Sequence, residues 1–202
     1  MDALVFGGSF NPIHHGHLLV SRAVAEARNF AKVLLIPSGQ PAQKELMEMA
    51  PAADRLEMCR RAVAGAPLFG VDDLEIRRPG PSFALDTVRQ LRQAGFQTVR
   101  WLIGADWVQA LPTWHEAEQL VREVEFLIVG RRGYAIDWEK LSEPFRALRK
   151  NVVTAPVVEI SSSDIRRRIA AGMSIKYLVP ERVENYLLER GLYRPGKPQP
   201  GE

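Results

Sequence analysis

The chain has 202 residues, and 27 Lys and Arg against 24 Asp and Glu leave a net charge of +3 with the histidines neutral. With 46% hydrophobic and 25% charged residues it sits on the globular average, which excludes collagen-like repeats, coiled coil and intrinsic disorder. The single cysteine, Cys59, excludes an intramolecular disulfide and every cysteine-rich zinc module, and fits a reducing compartment. The apolar runs fall far short of the ~20 residues that a membrane-spanning helix needs. The first residues carry no basic leader followed by an apolar core. The expected location is therefore cytoplasmic, with no membrane partner. A mild positive balance suits anionic small substrates and nucleic acid equally.

In chain order, short aliphatic runs alternate with longer segments of helical period, the pattern of parallel strands joined by crossover helices. Strands are predicted at residues 3–6, 32–37, 68–71, 98–103, 125–129 and 152–158. Most are continuous apolar runs, which marks strands covered on both faces. A helix is predicted from about Gly16. Another follows Pro51, where Leu56, Cys59 and Val63 repeat at i, i+3, i+7, and a third carries Leu141, Phe145 and Leu148 at i, i+4, i+7. The last helix has Pro180 at its start, Val183 and Leu187 one turn apart, and Gly191 just past its end. One long polar connection, residues 38–50, has the character of a functional loop. The expected architecture is α/β: a Rossmann-like, doubly wound, mainly parallel sheet with helices on both faces and a C-terminal helical segment. It forms one domain over residues 1–193, followed by a loose tail at 194–202.

The first strand runs straight into Gly7-Gly8-Ser9-Phe10-Asn11-Pro12-Ile13-His14-His15-Gly16-His17-Leu18. Two glycines after a strand let the backbone approach a ligand, and the helix that follows offers unpaired N–H groups and a positive dipole end. His14 and His17, three apart at the helix start, can aim both imidazoles at a phosphate held there. Three of the four histidines fall within residues 14–17, a clustering that ordinary surface or core histidines do not explain.

A second strand-to-helix turn reads Ile160-Ser161-Ser162-Ser163-Asp164-Ile165-Arg166. Serines suit the N-cap, and Arg166, one turn in and tilted toward the N-terminus, can reach an anion held at that cap. Arg167 and Arg168 read as a solvated basic face. Two patterns are rejected. Residues 191–198 have P-loop spacing but end in Pro198 where a hydroxyl is required, and His115-Glu116 has no second histidine four residues after the first. No G-x-G-x-x-G fingerprint occurs, which argues against hydride transfer.

These residues resemble the bacterial nicotinate-nucleotide adenylyltransferase family. Its G-G-[ST]-F-[DN]-P-[IV]-H-x-G-H-L pattern matches residues 7–18, its I-S-S-[ST]-x-I-R pattern matches residues 160–166, and its G-A-D…W segment resembles Gly104-Ala105-Asp106 with Trp114. The resemblance implies that nicotinate mononucleotide is joined to ATP, with release of pyrophosphate. It implies His14, His17 and Arg166 as catalytic residues. Gly8, Ser9, Phe10, Gly104, Asp106, Ile160, Ser161 and Ser162 would complete the ATP site. Lys44, Ser82, Phe83, Ala84, Thr87 and Trp114 would hold the acceptor, with Lys44 on its phosphate and Trp114 stacked on its pyridine ring. Mg²⁺ would arrive with the ATP phosphates, without a dedicated protein metal site. The chain departs from the family at two places. Gln43 replaces the histidine of P-x-H-K, and Phe83 and Ala84 replace the hydroxyl residues of S-Y-T.

Other readings carry different expectations. A sibling enzyme would use nicotinamide mononucleotide or phosphopantetheine as acceptor, and a non-catalytic nucleotide sensor would have less need of both histidines and Arg166. A nucleic-acid module is disfavoured, because Arg77-Arg78, Arg131-Arg132 and residues 166–168 are scattered and form no recognisable motif. Homo-oligomerisation is left open.

Overall fold

The computed structural model describes residues 2–41, 49–130 and 133–195. Gln43 and Lys44, the Arg131-Arg132 pair and the tail from residue 196 onward lie outside them. Among the described residues there are eight strands: β1 (Asp2–Gly8), β2 (Val33–Pro37), β3 (Gln40–Pro41), β4 (Phe69–Val71), β5 (Pro81–Ser82), β6 (Thr98–Gly104), β7 (Glu125–Val129) and β8 (Val152–Val153). The helices are α1 (His15–Ala27), α2 (Ala52–Val63), α3 (Leu74–Arg77), α4 (Ala84–Gln93), α5 (Ala117–Glu123), α6 (Ser162–Ala170) and α7 (Glu181–Arg190).

Six strands make one sheet in the order β4-β2-β1-β6-β7-β8, and every neighbouring pair is parallel. Only β3 and β5 stand apart, as a short parallel pair. Numbered in chain order, the six strands run 3-2-1-4-5-6 across the sheet. The winding therefore reverses between β1 and β6, and ligands bind in the crevice outside the carboxyl ends of strands at such a reversal.

The period-2 geometry of a strand sends alternate side chains to opposite faces. Leu4, Val33, Leu35, Leu102 and Leu127 enter one core, where they meet Val24 of α1, Met58 and Cys59 of α2, Ile165 of α6 and Leu187 of α7. Ala3, Val5, Leu34, Ile36, Ile103 and Phe126 enter the other, against Leu85, Val88 and Leu91 of α4 and Leu120 of α5. Burial on both faces explains why these strands read as unbroken apolar runs. Each fully buried side chain of this size contributes roughly 1.5–3 kcal/mol.

Two sequence expectations fail. The strand expected over residues 152–158 ends at Val153. It lies at the sheet edge, and Pro156 has no amide hydrogen with which to continue a ladder. The helix expected around residues 141–148 does not form. Instead 3₁₀ turns occupy Trp138–Lys140 and Arg146–Asn151. Pro144 lacks an amide hydrogen and disfavours helical geometry at Glu143, yet Leu141, Phe145 and Leu148 are all buried. Their spacing reported burial without specifying the helix. Among the described residues no helix is long and apolar enough to cross a membrane.

Candidate active site

The carboxyl ends of β1 and β6 open into a cleft of about 710 Å³. Gly8, Ser9, Phe10, His14, His17, Ile160, Ser161 and Ser162 line it as one group, and Ser82, Phe83, Ala84, Trp114 and His115 as another. Gly104 and Asp106, at the end of β6, line it as well. A cleft of this size accommodates a nucleotide-sized ligand.

The first group is built on the start of α1. His14 is the N-cap, and the first turn carries no acidic residue, so nothing of like sign opposes an anion at the dipole's positive end. The His14 amide donates to His17 Nδ1 at 3.2 Å. With Nδ1 accepting, neutral His17 is assigned the tautomer that carries its proton on Nε2, a donor. The two imidazoles stack with centroids 3.6 Å apart and planes 24° from parallel. Phe6 and Phe10 pack edge-on against His17, which limits ring rotation. Phe10 is buried at a positive φ of 44°, an uncommon conformation for an aromatic residue that the surrounding packing must hold. A Cβ at Gly7 would lie 2.5 Å from the Trp101 indole, so only glycine fits there.

The start of α6 is fastened to this loop. Ser161 Oγ caps the helix by accepting from the Asp164 amide at 3.1 Å. Ser162 Oγ donates to the Pro12 carbonyl at 2.9 Å, and Arg166 Nη1 donates to the Asn11 carbonyl at 3.0 Å. Two motifs 150 residues apart thus form one rigid unit. The Ser162 hydroxyl donates its proton to Pro12, whereas Ser161 is engaged as an acceptor, so the turn offers an anion backbone N–H groups and the Ser161 O–H. Arg166 does not line the cleft, and braces the loop that carries the histidines. The Asn11 side chain is a further hub, its Oδ1 accepting from the Ala50 amide at 3.0 Å and from the Tyr193 hydroxyl at 2.6 Å.

Ser82, Phe83 and Ala84 lead into α4, and their backbone is held by buried polar groups. Thr87 does not line the cleft. Its fully buried hydroxyl donates to Glu75 Oε1 at 2.6 Å. Glu75 does line the cleft and is only 4% exposed. Burial pushes its carboxyl above the usual carboxylate range, against the opposing pull of Thr87, Ser82, Arg78 and Arg55. Ser82 Oγ accepts from the Gly39 amide at 2.9 Å, and a Cβ at Gly39 would collide with the Glu75 carbonyl oxygen. Arg55, 1% exposed, donates to the carbonyls of Ala50 at 3.0 Å, Ser9 at 2.9 Å and Gly39 at 3.1 Å. It therefore joins the loop after β1 to the loop beside Ser82. Burial holds its guanidinium below the usual arginine range.

Trp114 is half-buried, edge-on to Trp107 at 6.3 Å, and its indole Nε1 is buried with no hydrogen-bond partner. Lys44 lies outside the described residues. Three residues of this site escaped sequence reasoning. Arg55 sits one turn before Cys59 on the buried face of α2, a position that could have flagged it. Glu75 follows Asp72 and Asp73 and reads as a solvated acid. His115 reads in the sequence only as part of an incomplete metal motif. Among the described residues no group of three or more His, Cys, Asp or Glu side chains could hold a metal.

A parallel sheet with this winding and a switch-point cleft bounded by two helix starts is the architecture of nucleotide-binding α/β proteins, and the family match assigns the nucleotidyltransferase class within it. The sequence profile of the cytidylyltransferase-like family matches residues 5–168. The chain is 38% identical over 193 residues to the "Probable nicotinate-nucleotide adenylyltransferase" of Thermomicrobium roseum, covering 94% of this chain and 90% of that protein. It is 40% identical over 192 residues to the protein of the same name from a Roseiflexus strain, covering 94% and 96%. The solved structure of Plasmodium falciparum nicotinic acid mononucleotide adenylyltransferase, complexed with NaAD, superposes with a TM-score of 0.71 at 20% identity, over 95% of this chain and 97% of that one. The chain belongs to the nicotinate-nucleotide adenylyltransferase family, within the cytidylyltransferase-like proteins.

Proposed function

We propose that the protein transfers the adenylyl group of ATP to nicotinate mononucleotide, forming nicotinate adenine dinucleotide and pyrophosphate. The observation that carries the reading is the coupling of two helix starts across one cleft: the histidine turn of α1 and the serine-capped turn of α6, tied by Ser162 and Arg166. Identities of 38% and 40% over nearly the whole of two relatives named for this activity support the choice of acceptor.

A phosphate oxygen of the mononucleotide attacks the α-phosphorus of ATP, and the bond from that phosphorus to the pyrophosphate oxygen breaks. No covalent nucleophile is required, because such transfers depend on in-line positioning and on stabilising spread negative charge. His17 Nε2 and His14 donate to triphosphate oxygens. Ile160, Ser161 and Ser162 supply backbone N–H groups to the leaving pyrophosphate, with Arg166 adding positive charge from one turn further along α6. Gly8, Ser9 and Phe10 contact ATP through the backbone, and Gly104 and Asp106 border the nucleotide. Ser82, Phe83 and Ala84 meet the acceptor ring at the start of α4, Trp114 stacks on it, and Lys44 meets its phosphate. Thr87 acts on the acceptor through Glu75, to which its hydroxyl donates, and through the Phe83 carbonyl, 3.1 Å from that hydroxyl.

The donor set fits a Mg²⁺ that travels with ATP, since phosphate oxygens and water would hold it beside Asp106 and no protein cage is needed. When bound, that ion neutralises phosphate charge. The test is pyrophosphate release from ATP and Mg²⁺ with nicotinate mononucleotide, nicotinamide mononucleotide or phosphopantetheine, each product identified by chromatography. Fastest release with the nicotinate acceptor is expected. Faster release with either alternative overturns the acceptor assignment, and none with any acceptor favours a nucleotide sensor.

A further inference from the structure

His115 belongs to the turn before α5, and its ring stacks face to face on Phe83, with centroids 4.1 Å apart and planes 20° from parallel. Both rings line the cleft with Trp114 and Ala84. On its other flank, His115 Nε2 lies 3.3 Å from Glu116 Oε1, which together with the stack orients the imidazole.

The charge inventory of the cleft singles this residue out. Among the described residues that line it there is no lysine or arginine, so histidines are the only lining side chains able to carry positive charge. His14 and His17 are committed to the phosphate turn. His115 is the remaining one, and it lies in the acceptor group. Phe83 and Ala84 have no hydroxyl to offer, and the Ser82 hydroxyl accepts from the Gly39 amide and hydrogen-bonds Glu75. Glu75 is held toward its neutral form by burial and so does not repel an anion there.

We propose that His115 is a specificity residue that reads the acidic group on the acceptor's pyridine ring: with Nε2–H facing Glu116, the cationic ring donates its Nδ1–H to the carboxylate where side-chain hydroxyls are missing from residues 83 and 84. A hydrogen bond to an anion is stronger than one to a neutral amide oxygen, so this contact favours nicotinate mononucleotide over nicotinamide mononucleotide. The inference rests on the acceptor assignment made above.

The test measures calorimetric binding of both mononucleotides to the full-length wild type, His115→Phe and His115→Gln. Phenylalanine keeps an aromatic face against Phe83 and removes the ring N–H. It should weaken nicotinate mononucleotide by about tenfold or more and shift the amide by less than about twofold. Glutamine, a neutral donor, should restore part of the preference. Unchanged thermal midpoints and ATP affinity show that the fold and the phosphate turn are intact. Equal loss for both mononucleotides, an unchanged preference in His115→Phe, or no preference in the wild type would overturn the proposal. Binding reads out without turnover, so failure of adenylyl transfer would strike the proposed function while leaving this preference measurable.

Discussion

His17 and Glu75 show how single side chains are set by what packs around them. The His14 amide fixes the His17 tautomer, and two phenyl edges fix its plane, so a donor is already oriented at the cleft. Such preorganisation avoids reorganisation cost during the reaction. Glu75 is the opposite case, a carboxyl drawn out of water. Because burial raises its pKa in the folded state, the fold binds its proton more tightly than the unfolded chain does. Stability must then fall as pH rises from the ordinary glutamate range through the folded pKa. Glu75→Gln retains an acceptor for Thr87 and removes the ionisation. Between about pH 5 and about pH 8, the thermal midpoint should fall more in wild type than in Glu75→Gln; equal falls would show that Glu75 does not govern this window. None of this was legible in the sequence. The histidines announced themselves by clustering beside glycines, whereas the burial of Glu75 depends on Thr87, Ser82 and Gly39 meeting in space.

At the scale of elements, the loops around the cleft are held from below by helix residues that touch no ligand. Arg55 of α2 ties the carbonyls of Ser9, Gly39 and Ala50 together. Arg55→Met removes all three donors and should cost about 2–4 kcal/mol in urea unfolding. It should also raise KM for both substrates more than it lowers kcat, since both loops lose a common anchor. A variant with full stability and unchanged KM would show that the loops hold themselves. The same logic extends to the end of the chain, where Asp54 accepts from Tyr186 and Arg190 of α7 at 2.6 and 3.2 Å, and the Tyr193 hydroxyl reaches Asn11. Tyr193→Phe should lower stability by roughly 0.5–1.5 kcal/mol in the same assay, and an unchanged urea midpoint would show that the Asn11 contact adds nothing. Element existence was readable wherever an apolar run was buried on both faces, as in β2 and β7. It was not readable where proline overrode periodicity, at Pro144 and Pro156.

For the whole molecule, the decisive feature is the reversal of winding between β1 and β6. It places the loop after the first strand opposite the loop after the fourth of the main sheet, and the α6 turn, 150 residues later, closes over the first. The alternation of apolar runs and helical segments already implied a doubly wound sheet, and the glycine, histidine and serine turns marked where anions would bind. What the sequence left hidden was the cross-bracing, because a hydrogen bond such as Arg166 to the Asn11 carbonyl joins residues that no local pattern relates. In the proposed reaction this braced double turn stabilises the phosphates during transfer. The most direct measurement is single-turnover pyrophosphate release by His17→Ala with saturating ATP, Mg²⁺ and nicotinate mononucleotide, alongside calorimetric binding of the mononucleotide. A rate lower by about 10²–10³ is expected, with mononucleotide affinity unchanged. A rate within a few fold of wild type would contradict it.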